Sequence, residues 1–96
     1  MADPIGCSAA EVEYTQSLRW YAERNIEAAR DFDAEFDRAL GLIAAHPERY
    51  PMCDQRHRFF LMRRFPYQII YRIQSQQVVI IAVAHTARKP DYWAAR

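Results

Sequence analysis

The chain has 96 residues and a formal net charge of +1; 51% of its residues are hydrophobic, 26% are charged and two are glycine. This length supports one core, which we take as a single domain over residues 1–96, and the composition excludes disordered, collagenous and mucin-like classes. No apolar run approaches the roughly 20 residues of a membrane helix, and the N-terminus lacks a basic start followed by an apolar region. We therefore expect a cytoplasmic protein that does not associate with membranes.

The first predicted helix runs from Ser8 to about Asn25. Acidic residues come early in this stretch, and Ser8 with Glu11 fits a capping box, in which each side chain bonds a backbone N–H of the first turn. Four apolar side chains fall near one face of this helix and are expected to pack on the core: Val12, Leu18, Tyr21 and Ala22.

A second helix is predicted from about Ile26 to Ala45. Its apolar positions recur at steps of three and four residues, which is the period of one helix face: Ala29, Phe32, Phe36, Leu40 and Ile43. Pro47 ends the helix, because the residue before a proline is disfavoured in helical conformation. His46 is therefore interpreted as a cation at the helix C-terminus.

After Pro51 the apolar period changes from 3.6 to 2, which predicts strands at Phe59–Phe65, Tyr67–Gln74 and Val78–His85. The second strand alternates, so one of its faces is core and the other is at least partly wet. The third strand does not alternate, which predicts burial on both faces and a central position. The predicted fold class is α+β, with a two-helix hairpin packed on one face of a small antiparallel sheet.

Charge is distributed unevenly along the chain. Residues 1–48 carry ten acidic residues and four arginines, a net of −6, whereas residues 49–96 carry nine basic residues and two aspartates, a net of +7. Only Lys89 is a lysine, and arginine binds phosphate or carboxylate without titrating. The second half predicts an anionic partner, either nucleic acid or an acidic protein segment, with a solvated sheet face as the alternative.

The predicted central strand ends in residues that can carry chemistry. His85 can exchange a proton near neutral pH, Arg88 can bind phosphate, and Tyr92 can stack on a base. These three are the catalytic candidates of a ribonuclease that needs no metal or other cofactor. Burial of Tyr92 at the core edge and a backbone hydrogen bond of His85 are the structural alternatives.

Other basic and aromatic side chains are candidates for contacting RNA or a protein partner: Arg56, Arg58, Arg64, Arg72 and Trp93. Arg63 and Arg64 are adjacent and point to opposite faces of a strand, so Arg58 and Arg64, which share a parity, are the preferred pair. Trp93 has capping of the core edge as its structural alternative. Cys7 and Cys53 have no metal-binding spacing and are expected to be reduced, and no metal site is predicted.

The order of the motifs HPERYP, RRFPYQIIYRI and AVAHTARKPDYW resembles the RelE/ParE superfamily of bacterial toxins from type II toxin–antitoxin loci, also called plasmid stabilisation proteins. The resemblance runs from about Ala9 to Arg96 and is sharpest at FPY, residues 65–67, and at the spacing of His85, Arg88 and Pro90. It implies a helical hairpin on an antiparallel sheet and a cognate antitoxin. Family members open with a full strand, which is short or missing here, and an open sheet edge could then pair with an antitoxin segment or a second copy of the chain.

The resemblance implies two activities. ParE-like toxins bind and inhibit DNA gyrase, whereas RelE-like toxins cut messenger RNA in the ribosomal A site with basic residues of the sheet and a C-terminal residue such as tyrosine. Carried onto this sequence, the RelE-like roles fall on Arg58, Arg64 and Arg88 for phosphate and on Tyr92 for acid–base work. The lysines of RelE-like nucleases are missing, which favours a ParE-like toxin that arrests growth. An inactive member that only binds antitoxin is the third alternative.

Overall fold

The computed structural model describes residues 3–96. In chain order its elements are β1 (Ile5–Gly6), α1 (Ser8–Arg24), α2 (Ile26–Ala45), β2 (Arg58–Leu61), β3 (Tyr67–Gln74) and β4 (Gln77–His85). The strands form one sheet in the order β1-β4-β3-β2, in which β1 runs parallel to β4 and the other neighbours are antiparallel. The predicted α+β class is confirmed, and the N-terminal strand is present but has only two residues.

The buried face of α1 differs from the predicted one. Val12 is 53% exposed and Ala22 is also exposed, so the prediction was wrong at these two positions. The buried side instead runs through Ala10 and Glu13, with Tyr14 packed against the core. Glu13 lies in the middle of this buried face. A face predicted from apolar residues alone therefore falls on the wrong side of the helix.

The N-terminus of α1 also begins differently from the prediction. Cys7 is the N-cap, no side chain caps the helix there, and Ser8 is already the first helical residue. Cys7 is held by β4 instead, because its N–H donates to the carbonyl of Ile80 and its thiol donates to the carbonyl of Ile81. The predicted capping box of Ser8 and Glu11 was therefore wrong, because the N-cap lies one residue earlier and no side chain of residues 3–96 caps it.

The second helix matches its predicted bounds. Asn25 caps it, since its side-chain oxygen accepts hydrogen bonds from the N–H groups of Glu27 and Ala28, and His46 is its C-cap. Phe32 is fully buried and packs edge-on against both Phe65 and Tyr67. The FPY motif thus supplies aromatic rings to the core between the helices and the sheet.

The sheet is covered on both faces. The side chains of Ile69, Tyr71 and Val83 meet the helices, and the opposite face, expected to be partly wet, is covered by Trp93 packed among apolar residues of β3 and β4. Strand β4 lies between β1 and β3, as its continuous apolar run predicted. Neither helix in the described part of the chain is long and apolar enough to cross a membrane.

The strand predicted at Phe59–Phe65 is shorter and shifted. Strand β2 ends at Leu61, and Arg64 lies beyond it with a φ of 69°, in the left-handed region. The parity argument for Arg58 and Arg64 therefore does not apply. Arg64 donates to Asp31 of α2 at 3.2 Å, on the helical side of the molecule.

Candidate functional site

A buried carboxylate on α1, Glu13, gathers three side chains of the C-terminal segment. Tyr92 donates its hydroxyl to Oε2 at 2.5 Å, and Nη1 of Arg88 lies 3.3 Å from the same oxygen. Arg96 is bidentate, with Nη1 at 2.8 Å from Oε1 and Nη2 at 3.2 Å from Oε2. Glu13 is only 8% exposed, so these contacts are largely shielded from water. We call Glu13, Arg88, Tyr92 and Arg96 the Glu13 cluster.

The Glu13 cluster also closes one edge of the sheet. Strand β1 pairs only with Val79 and Ile80, so β4 continues beyond it without a neighbouring strand. The N–H of Val83 donates to Oε1 of Glu13 at 3.0 Å, and the carbonyl of Ile81 accepts from Nη1 of Arg96 at 3.0 Å. The edge expected to be open is thus occupied by side chains, which must move before another strand can pair there.

The protonation of the cluster follows from these contacts. Burial acts to raise the pKa of Glu13, but hydrogen bonds from Arg96, Tyr92 and the Val83 N–H outweigh it and hold the pKa below its ordinary value. Burial, followed by the hydrogen bond to the Glu13 carboxylate, raises the pKa of Tyr92 to about 12. At neutral pH this phenol keeps its proton and acts as a hydrogen-bond donor.

The ring of His85 lies outside the Glu13 cluster. Its Nδ1 accepts the N–H of Ala87 at 3.0 Å, and the ring packs edge-on against Tyr67 with 5.1 Å between centroids. It borders a separate open cavity of about 470 Å³ that also includes Trp20 and Pro66. The structure therefore brings together Arg88 and Tyr92 of the predicted catalytic trio and places His85 elsewhere.

The family profile described as "ParE toxin of type II toxin-antitoxin system, parDE" matches residues 9–90 of this chain. The chain belongs to the ParE toxin family. The predicted resemblance to the RelE/ParE superfamily is confirmed. No curated protein matches the sequence. Among solved structures, the "Chromosomal ParDE TA system from P. aeruginosa" is similar in fold, with a TM-score of 0.76 at 12% sequence identity over 88% of this chain and 96% of that chain.

Trp93 of this ParE-family chain is 3% exposed and lies against the sheet, where its ring packs edge-on against His57 at 5.0 Å. His57 is 1% exposed, with Nδ1 at 2.8 Å from Oδ2 of Asp54 and Nε2 at 3.3 Å from Nη1 of Arg72. A guanidinium can only donate, so Arg72 donates to Nε2, and Nδ1 donates a hydrogen bond to Asp54. His57 thus orients Arg72 through a ring nitrogen and not through a carboxylate.

Three of the four arginines predicted to contact a partner lie around one open cavity of about 410 Å³. We call this cavity the notch; its lining is Met52, Gln55, Arg56, Arg58, Arg72, Ile73 and Gln74. Arg58 donates to the carbonyls of Glu48 and Tyr50, and Arg72 donates to Gln74 and His57. None of these partners is a carboxylate, whereas Arg64, the fourth, lies with Asp31.

Sequence reasoning missed two buried residues. Glu13 holds the Glu13 cluster together, and His57 orients Arg72 in the notch. Glu13 stands three residues after Ala10 on the buried side of α1, and an acid at such a position signals a partner elsewhere in the fold. His57 follows Asp54 by three residues, and Oδ1 of Asp54 accepts the N–H groups of Arg56 and His57, which is an Asx turn. Within residues 3–96, no group of three histidine, cysteine or acidic side chains is placed to hold a metal ion.

Proposed function

We propose that this ParE-family chain is a cytoplasmic toxin that arrests growth by binding DNA gyrase and is neutralised by a cognate antitoxin. The proposal rests on the hydrogen bonds that the Glu13 carboxylate accepts from Arg88, Tyr92 and Arg96. The C-terminal groups that a nuclease would turn toward a phosphate are here engaged by the protein's own carboxylate. Docking needs side chains that are held in place before the partner arrives, and it needs no titrating group.

The protonation states favour binding over phosphodiester cleavage. General acid–base catalysis needs a group whose pKa lies near the working pH. The pKa of Tyr92 is raised to about 12 by burial and by the neighbouring carboxylate, and His85 lies apart from the arginines of the cluster. Arg88 keeps 57% of its side chain exposed beside Tyr92, so it can contact a protein surface.

Membership of the ParE toxin family supports the antitoxin as partner, because the family is defined within a two-component system. The charge distribution agrees with it. The notch gathers arginines that the chain does not neutralise, and an acidic protein segment is the complementary surface.

The test follows the chain induced in bacterial cells, with labelled thymidine and labelled amino acid measured in parallel, and adds the purified chain to a gyrase supercoiling assay. We expect DNA synthesis to stop first and supercoiling to be inhibited. If protein synthesis stops first and messenger RNA is cut, the RelE-like alternative is correct. If cells grow normally although the chain is folded, the chain is an inactive antitoxin-binding member.

One variant separates docking from catalysis. Tyr92→Phe keeps the ring beneath Arg88 and removes only the hydroxyl that donates to Glu13. Under the proposal this variant stays toxic in cells at a temperature where thermal unfolding shows it to be folded. A folded Tyr92→Phe protein that has lost all toxicity would identify the hydroxyl as a reacting group and contradict the docking mechanism.

A further inference from the structure

At the end of β3, no strand of the described residues covers the backbone edge that faces away from β4. Strand β2 begins at Arg58, opposite Tyr71, so Arg72, Ile73 and Gln74 extend beyond it, while on their other side they pair with β4. The Met62 N–H donates to the carbonyl of Tyr67, which places the odd-numbered residues of β3 with their backbone groups toward β2. By the same alternation the N–H and C=O of Ile73 face the side where β2 is missing.

The sheet irregularity does not change this alternation. The register shift falls between Ile70 and Tyr71, where Ile81 of β4 is the additional residue, and the β2–β3 pairing runs through it without interruption. Within residues 3–96, no backbone hydrogen bond from outside the β3–β4 pairing reaches Ile73. The uncovered N–H and C=O therefore open into the notch.

The notch is positively charged, and its arginines are already oriented. Arg58 is fixed by two backbone carbonyls, and Arg72 is fixed by Gln74, by the carbonyl of Arg96 and by the buried ring of His57. Arg56 borders the cavity from the loop before β2, and no acidic side chain of residues 3–96 lines it. Side chains held in place before binding lose less conformational entropy when a ligand arrives.

We propose that the notch binds an extended acidic segment of a partner protein, which continues the sheet beside Ile73 in the place that β2 leaves empty. The segment's backbone pairs with the N–H and C=O of Ile73, and carboxylates at two adjacent positions of the segment, which point to opposite faces of the sheet, meet Arg58 on one face and Arg72 on the other. The exposed side chain of Met52 offers an apolar contact at the rim. Only the identity of the partner, the antitoxin, rests on the proposed function.

A second copy of the chain fits this site poorly. Residues 49–96, which form β2, β3 and β4, have only two acids, Asp54 and Asp91, and Asp54 is hydrogen-bonded to His57. Its strands would therefore bring arginines against arginines, which repel one another. Eight of the ten acids in residues 1–48 stand on helices, and a helix cannot pair with the backbone of Ile73.

The test titrates the full-length, ¹⁵N-labelled chain with a blocked pentapeptide that carries two adjacent Glu residues among Val residues, and with the matched peptide in which Lys replaces each Glu. We expect the acidic peptide to shift the amide signals of Ile73 and Gln74 saturably, and the basic peptide to leave them in place. Arg56→Glu should weaken the acidic peptide about tenfold or more, which is about 1.4 kcal/mol. Arg63→Glu, the same charge reversal at an exposed residue outside the notch, should change affinity much less.

Several results would overturn the proposal. Shifts spread over all surface arginines, or equal weakening by Arg56→Glu and Arg63→Glu, would show that only net charge attracts the peptide. If a single-stranded RNA hexanucleotide shifts the amide signal of Ile73 and the acidic peptide does not, the notch binds phosphate groups and not an acidic protein segment. The gyrase assay on the same protein keeps the two proposals separate. Peptide binding without gyrase inhibition would contradict gyrase as the target. Gyrase inhibition without peptide binding would contradict the notch as a peptide-binding site.

Discussion

Residues 49–96 contain two groups of arginines that are used in opposite ways. In the Glu13 cluster, Arg88 and Arg96 meet a carboxylate that the chain itself supplies from α1. In the notch, the arginines meet carbonyls, an amide and an imidazole, and they keep their charge for a ligand. An arginine-rich segment of the sequence shows where positive charge lies along the chain. The acidic side chains that the fold brings to each arginine decide whether that charge is neutralised or stays available to a ligand.

Glu13 and His57 show this difference most directly, since each is buried and each orients an arginine. Glu13 is an anion, so it neutralises the arginines that it holds and joins them to the core. His57 accepts a hydrogen bond from Arg72 at Nε2 and donates one to Asp54 from Nδ1. Arg72 is therefore positioned without being neutralised, as a binding residue requires.

The largest expected effect breaks the Glu13 cluster. Glu13→Ala leaves the largely buried guanidinium of Arg96 without its carboxylate and frees the N–H of Val83 at the sheet edge, which should lower the free energy of unfolding by about 3–5 kcal/mol. Urea unfolding measures this difference. Glu23→Ala, on an exposed position of the same helix, is the control and should stay within about 0.5 kcal/mol of the parent. Equal losses in the two variants would mean that Glu13 carries no special role.

Acid should weaken the same cluster more gently. The folded pKa of Glu13 lies below its ordinary value of 4.5, so its stabilisation is present above that pH and is lost as the pH falls through the folded pKa. Asp54, whose pKa is also lowered, contributes in the same direction. Comparing the parent with Glu13→Gln across this range isolates Glu13, because the glutamine variant should lose less stability on acidification. Parallel pH profiles would contradict the assignment.

Tyr92→Phe tests one contact of the cluster. A hydrogen bond to a charged group contributes about 1.5–3 kcal/mol, and we expect a loss in this range in the free energy of unfolding. Tyr71→Phe is a useful comparison, because the Tyr71 hydroxyl donates to the neutral carbonyl of Pro47 and its removal should cost less, about 0.5–1.5 kcal/mol. A larger loss at Tyr71 would reverse the ranking.

The smallest expected effect on stability is in the notch. Arg56→Ala should change the free energy of unfolding by no more than about 0.5 kcal/mol, since the Arg56 side chain is exposed and makes no hydrogen bond within residues 3–96. Thermal or urea unfolding checks this value, and Arg96→Ala provides the contrast from the Glu13 cluster. A destabilisation as large as that of Arg96→Ala would mean that Arg56 is a structural residue, and the distinction between the two groups would fail.

Local patterns predicted much of the fold. The bounds of α2, with its buried Phe32 and Ile43, follow from apolar spacing alone, and the bounds of β3 agree with its period of two. The central place of β4 follows from its unbroken apolar run. These predictions succeeded because the burial of apolar surface is the main driving force for folding in these elements, and the chain carries its apolar residues there in regular order.

The end of β2 and the face of α1 could not be predicted in this way. Strand β2 ends at Leu61, and Arg64 beyond it adopts a left-handed φ and pairs with Asp31, 33 residues away. Glu13 is buried because its partners arrive from the other end of the chain, Arg96 being 83 residues distant. No window of local sequence contains both members of either pair.

By itself, the sequence determined the element order, most of the core, the surplus of positive charge in the second half and membership of a toxin superfamily. Tertiary structure alone decided which arginines keep that charge free. The reason is that a charge pair depends on distance in space. The acids that pair with Arg64, Arg88 and Arg96 stand on the helices, while Arg56, Arg58 and Arg72 meet no side-chain carboxylate in the described part of the chain.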